Sequence, residues 1–312
     1  MDLRGNGITM VENIPYFKYI ESHGFVYSVD SIQVSFELSK DDTEKMFQSL
    51  DYLHELFSCI NFKSDPDVIQ NRIIFEANYR YGSYSSLVAH IAIFRNYDDS
   101  SAGFIHLNPN RLFQSEKAYD EIKRFLGICS SVTVKKCDVA IDMPYDITSL
   151  SPMKSRKSMM VYVESRKSYT FYWGKRNEEG YAKLYSKSLK NKLDTPVTRL
   201  EITLGNPDEG DWNKVLANAV PPIYMPPFST GDPQIRLTSP ELVIIKLASY
   251  LLNGILQRVM LFRILELYED KARRKIVKDI ILTGSQQLRV DYEAINKIVK
   301  DVIEDIIGNQ CD

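Results

Sequence analysis

The chain has 312 residues, 44% of them hydrophobic and 26% charged, with a formal net charge of −2. That length holds two domains, or one large domain with an appendage, and the composition is that of an ordinary soluble globular protein. No overall basic character draws the chain to nucleic acid, so a partner of that kind has to be held by a local patch.

Taken in order, Phe25–Leu38 is rich in β-branched and aromatic residues and reads as a strand. A helix is expected from Asp41 onward, with an acidic first turn and Met46, Leu50, Leu53, Leu56 and Phe57 at helical spacing. Residues 71–83 and 85–97 read as paired strands around a turn at Gly82. A short strand follows from Gly103 and ends at Asn108-Pro109. An amphipathic helix is then capped by Ser115 and stopped near Gly127.

Ser131–Met143 resumes the β pattern, which continues in segments to Leu204. Interleaved strands and helices with hairpin spacings predict an α+β fold, a largely antiparallel sheet with flanking helices, over 1–205. Paired prolines mark 206–233 as a connector. Beyond it, Thr238-Ser239-Pro240-Glu241 opens a small helical domain expected over 234–312. Those helices would recognise duplex DNA, serve as an oligomerisation arm, or cover the sheet.

The four cysteines, Cys59, Cys129, Cys137 and Cys311, form no CxxC pair and predict neither a zinc site nor a disulfide framework. The N-terminus has no apolar run of the secretory kind. The most apolar C-terminal stretch is broken by Lys246, Gln257, Arg258 and Arg263, too often for a membrane span. A reducing cytoplasm is the expected compartment. His23, His54, His90 and His106 stand at no metal-binding spacing, and neither GxxxxGK[ST] nor GxGxxG occurs.

Three stretches can carry chemistry. In "CDVAID", strand alternation puts Asp138, Ala140 and Asp142 on one face, where two carboxylates suit Mg²⁺ or Mn²⁺. The plainer reading has Asp142 starting the turn before Pro144 and Asp138 paired with a lysine. Between Lys154 and Lys192 the chain carries a net +8: Lys154, Arg156, Lys157, Arg166, Lys167, Lys175, Arg176, Lys183, Lys187, Lys190 and Lys192 against Glu164, Glu178 and Glu179. Tyrosines, a phenylalanine and a tryptophan are interleaved with them, and cations with aromatic faces are what a DNA strand needs. In "TRLEITL", Arg199 and Glu201 share a face, and Glu201 either completes a three-carboxylate site or pairs with a cross-strand lysine.

In this order, "CDVAID", "YTFYWGKR…GYAKLYSKS" and "TRLEITL" resemble the replication initiation factor family, the Rep_trans type of rolling-circle initiators with related conjugative relaxases. The resemblance spans about Ser131 to Gly205. It implies an enzyme that nicks one DNA strand through a tyrosine, leaving a 5′-phosphotyrosine and a free 3′-hydroxyl. Carried over, Tyr185 is the nucleophile and Lys187 its catalytic companion, with Tyr181 the rival nucleophile on the same strand face. Asp138, Asp142 and Glu201 are the implied ligands of Mg²⁺ or Mn²⁺. Lys175, Arg176, Tyr181, Lys183, Lys190 and Arg199 are the implied DNA contacts. The family has an acidic residue shortly after the Tyr-x-Lys, where this chain has Leu189 and Lys190. The partners expected are origin DNA, as a single strand or extruded hairpin, a host helicase and a second copy of the chain, with no membrane. The alternative is a DNA-binding replication protein of the same fold that does not cut.

Overall fold

The computed structural model describes residues 18–48, 52, 55, 61–62, 67–69, 72–81, 84–113, 116–152, 159–163, 169–205, 212–225, 270–282 and 286–308. Its strands, in chain order, are β1 Ile20–Ser22, β2 Phe25–Leu38, β3 Asn61–Phe62, β4 Asp67–Ile69, β5 Arg72–Tyr81, β6 Tyr84–Arg95, β7 Ser101–Leu107 and β8 Ser131–Met143. They continue with β9 Ser151–Pro152, β10 Met159–Val163, β11 Tyr169–Trp173, β12 Ala182–Ser186, β13 Thr198–Gly205, β14 Ile223–Met225 and β15 Gln286–Gln287. The helices are α1 Lys40–Gln48, α2 Pro109–Leu112, α3 Glu116–Gly127, α4 Lys187–Asn191, α5 Asn213–Ala219, α6 Lys271–Leu282 and α7 Tyr292–Ile307. The fold is α+β with antiparallel sheets and helices, as the alternation of patterns predicts.

Two compact units divide the chain: Met1–Ile141, Thr203–Leu216 and Asp291–Asp312 form one, Asp142–Ile202 and Ala217–Val290 the other. The chain therefore changes unit inside β8 and again inside β13.

In the first unit the strand order is β8-β2-β7-β6-β5-β3, with β1 on β2 and β4 on β5. β1 and β2 form a hairpin through His23 (φ 50°) and Gly24 (φ 79°), the paired left-handed residues that match strand twist. β2 alternates cleanly: Ile32, Val34, Phe36 and Leu38 are buried, and the residues between them are not. Phe36 meets Phe125 of α3 edge-on, with ring centroids 5.1 Å apart. Gly103 of β7 has no alternative there, because a Cβ would stand 2.3 Å from the Ala92 carbonyl and 2.5 Å from the Phe36 ring. Cys129 and Cys137 are free thiols. Burial pushes the Cys129 thiol up to about 12, which leaves it inert at neutral pH.

The last helix belongs to this unit. α7 buries Ala294, Ile295, Ile298, Val299, Val302 and Ile306 at helical spacing. Its cap, Asp291, accepts from the Ala294 amide at 3.1 Å and from Ser22 Oγ at 2.5 Å. The Asp291 amide donates to Tyr27 Oη at 3.0 Å. Lys18 pairs with Asp305 farther along the helix.

In the second unit β10, β11, β12 and β13 form an antiparallel run, and β9, β14 and β15 a separate three-stranded sheet. Part of the expected connector, 212–225, holds α5 and β14. Its remainder, most of the expected helical domain, the Ser115 cap, Gly82, and five cations of the basic segment (Lys154, Arg156, Lys157, Arg166 and Lys167) lie outside the described residues. Among the described residues no helix is long and apolar enough to cross a membrane.

Candidate active site

Direct cross-strand partners lie on one face of a sheet. In the second unit Leu184 faces Leu200 and Ala182 faces Ile202, all buried, and these pairs make the core side. On the other side Lys183 faces Glu201 and Tyr185 faces Arg199. Alternation thus delivers every chemistry-bearing side chain of β12 and β13 to the same surface.

There, Tyr185 Oη donates a hydrogen bond to Glu201 Oε1 at 2.6 Å. The second oxygen, Oε2, lies 3.7 Å from Lys183 Nζ. The Lys183 ammonium stands 4.2 Å from the Tyr185 ring centroid and the Lys190 ammonium 5.1 Å from it. A single turn of helix brings Lys190 back over the ring. Ser186 ends β12 and caps α4 by accepting from the Leu189 amide, and Lys192 closes the turn in the left-handed region (φ 55°). The arrangement is a phenol hydroxyl bonded to a carboxylate, with two ammonium groups over its ring.

Asp142 is in a different situation. Its side chain is fully buried, and Arg199 donates through Nε to Oδ1 (2.7 Å) and through a terminal nitrogen to Oδ2 (2.6 Å). Lys187 Nζ adds a third bond to Oδ2 at 3.1 Å, and both cations are 5% exposed. Charge-assisted bonds of this geometry hold a carboxylate rigid. Asp138, in the first unit, accepts from Ser31 Oγ at 2.7 Å and from Thr203 Oγ1 at 2.6 Å.

Asp138, Asp142 and Glu201, the expected metal ligands, each have other partners in this arrangement. Among the described residues no three His, Cys, Asp or Glu side chains come together as metal ligands. Both Asp142 oxygens are occupied by cations, so this carboxylate does not fit a divalent metal. Lys187, the expected catalytic companion, and Arg199, an expected DNA contact, are buried on Asp142. Glu201 is a hydrogen-bond acceptor for Tyr185.

The remaining expected DNA contacts scatter. Lys175 is exposed and pairs with Glu178 at 2.8 Å, a hydrogen bond that raises its pKa. Arg176 is exposed in the same turn. Tyr181 precedes β12 and stacks on Tyr172, with centroids 6.3 Å apart and planes 22° apart. Sequence reasoning counted Tyr172 among the interleaved aromatics but not among the expected DNA contacts. The available signal was its alternation with Phe171 and Trp173, which are buried on the core side.

No family model and no curated protein matches the chain. Among solved structures it is similar to the rolling circle replication initiator protein from Geobacillus stearothermophilus, at 16% identity and a TM-score of 0.37, over 68% of this chain and 90% of that one. A likeness at that score establishes neither the fold nor the activity of this chain.

Proposed function

We propose that the chain nicks one DNA strand by transesterification, with Tyr185 as nucleophile. The observation that carries this reading is the 2.6 Å hydrogen bond from Tyr185 Oη to Glu201, beside two lysine ammonium groups. A phenol titrates near pH 10 in water and needs a base to attack at neutral pH. Glu201 takes that proton as Tyr185 Oη bonds to phosphorus. The P–O3′ bond breaks, the downstream strand stays on the tyrosine through its 5′-phosphate as a phosphodiester, and the departing 3′-oxygen takes a proton from water. Lys183 and Lys190 offset the charge that builds on the phosphoryl oxygens. Asp142, Arg199 and Lys187 fix the strand from which Tyr185 projects, and no step is assigned to a metal.

A second reading rests on a different observation: Tyr185 is only 6% exposed. In that reading the tyrosine is a packed strand residue, and the face binds DNA without cutting it.

The test is incubation with supercoiled plasmid and with a pool of 3′-labelled single-stranded oligonucleotides, followed by denaturing electrophoresis. Nicking is expected to give a labelled protein band that survives denaturation and a fragment with an extendable 3′-hydroxyl. Tight binding without any such band, on substrates that include the cognate origin, would overturn nicking in favour of the second reading.

A further inference from the structure

The sheet of the second unit has a polar face whose rows are set by register. Glu201, Lys183 and Tyr172 form one row across β13, β12 and β11, and Arg199, Tyr185 and Thr170 the next. Tyr172 therefore stands one strand from Lys183 and one row from Tyr185. Tyr181 lays its ring on Tyr172, 6.3 Å between centroids and 22° from parallel. Neither ring fills the core, since Phe171 and Trp173 stack with each other on the opposite side at 6.1 Å. Both tyrosines are half-buried and present surface to solvent.

The loop between them is built to make this contact. Gly174 (φ 82°), Asn177 (φ 69°) and Gly180 (φ 71°) take left-handed conformations that let the chain double back within a few residues. The same loop carries exposed Lys175 and Arg176 together with exposed Glu178 and Glu179, and Lys175 pairs with Glu178. The cation nearest the rings by register is therefore Lys183, the cross-strand partner of Tyr172. Two near-parallel rings with Lys183 across the strand match the chemistry of a nucleotide, a flat base joined to an anionic phosphate.

We propose that Tyr172 and Tyr181 are a stacking platform for one unpaired DNA base, next to the phosphate that Tyr185 attacks. The placement of that phosphate rests on the function proposed above; the platform itself rests on the ring geometry and on Lys183 across the strand from Tyr172. In a duplex both faces of a base are covered by its neighbours, so only an unstacked base can lie on the rings. Stacking is tolerant of base identity. The platform thus selects melted or single-stranded DNA at this position and leaves sequence choice to other contacts.

The experiment is fluorescence anisotropy with a single-stranded oligonucleotide, its duplex, and a series carrying one abasic position moved along the strand. Wild type, Tyr172→Ala, Tyr172→Phe and Tyr181→Ala are compared, with nicking measured on the same substrates. Tyr172→Ala is expected to weaken single-strand binding by about 5- to 150-fold, with Tyr172→Phe close to wild type. One abasic position should weaken wild type by a similar factor and weaken Tyr172→Ala and Tyr181→Ala no further. Should Tyr172→Ala fail to fold, Tyr181→Ala carries the same comparison. Wild type that binds and nicks, yet loses nothing at any abasic position, would overturn the platform and leave nicking standing. Wild type that neither binds single strands nor nicks would overturn both.

Discussion

Asp142 and Glu201 belong to the same unit, and each meets cations and hydrogen-bond donors from β12, α4 or β13. Asp142 is fully buried and accepts three bonds from Arg199 and Lys187. Glu201 is one-fifth exposed, takes a phenol proton donor on one oxygen, and stands 3.7 Å from an ammonium on the other. Burial separates their roles. Removing a buried carboxylate clamped by two cations would leave those charges stranded, so it stabilises structure. A partly solvated carboxylate on a hydroxyl is open to a reacting group, and the proposed function makes it the base.

The sharpest way to break that contrast is to neutralise each carboxylate in turn. Glu201→Gln keeps the shape and removes the base, and adduct formation is expected to slow by about 10²- to 10⁴-fold. Its unfolding free energy in urea should change by less than about 1 kcal/mol, because the pair is partly exposed. Asp142→Asn is expected to do the converse and lose about 3–5 kcal/mol in the same urea titration, since Arg199 and Lys187 are buried against it. A small loss at Asp142, joined to weaker Mn²⁺ binding by equilibrium dialysis, would make it a metal ligand after all.

Lys183→Met tests the charge beside the phenol. Single-strand affinity should fall, and the slope of log K against log salt should become shallower by about one. A slope equal to wild type would remove Lys183 from the DNA.

The smallest effect concerns a third carboxylate, Asp291. The Ser22 hydroxyl, then the Ala294 amide, hold it below the ordinary carboxylate range. A depressed folded pKa gives stability that is present above the unfolded value, about 3.9, and lost as pH falls through the folded one. Asp291→Ala should therefore lose about 1 kcal/mol at pH 7 and show a flatter decline below about pH 4 than wild type in urea unfolding. Parallel acid limbs would mean that this carboxylate does not link the β1–β2 hairpin to α7.

Much of this was legible in the sequence. Alternation in "TRLEITL" and "AKLYS" places Arg199 with Glu201, and Lys183 with Tyr185, on shared faces, and the structure keeps those faces. The pairing between the strands was less accessible. Alternation fixes which side a residue takes, but register decides which residue it meets, and the α4 turn between β12 and β13 sets that register. So Tyr185 and Glu201 were singled out for different roles, yet their mutual bond was not foreseen. The partners of Asp142 were hidden for a related reason. A carboxylate at that position suits a metal or a cation equally, and Arg199 lies 57 residues away in the chain. The C-terminal helix illustrates the same limit, since the amphipathic period of α7 was visible and its place in the first unit was not.

The most direct test of the central claim is to trap the protein–DNA adduct, digest it with protease and nuclease, and find the modified peptide by mass spectrometry. The account predicts a nucleotide mass on Tyr185, with the adduct absent in Tyr185→Phe and present in Tyr181→Phe. A nucleotide mass on Tyr181, or an adduct undiminished in Tyr185→Phe, would contradict it.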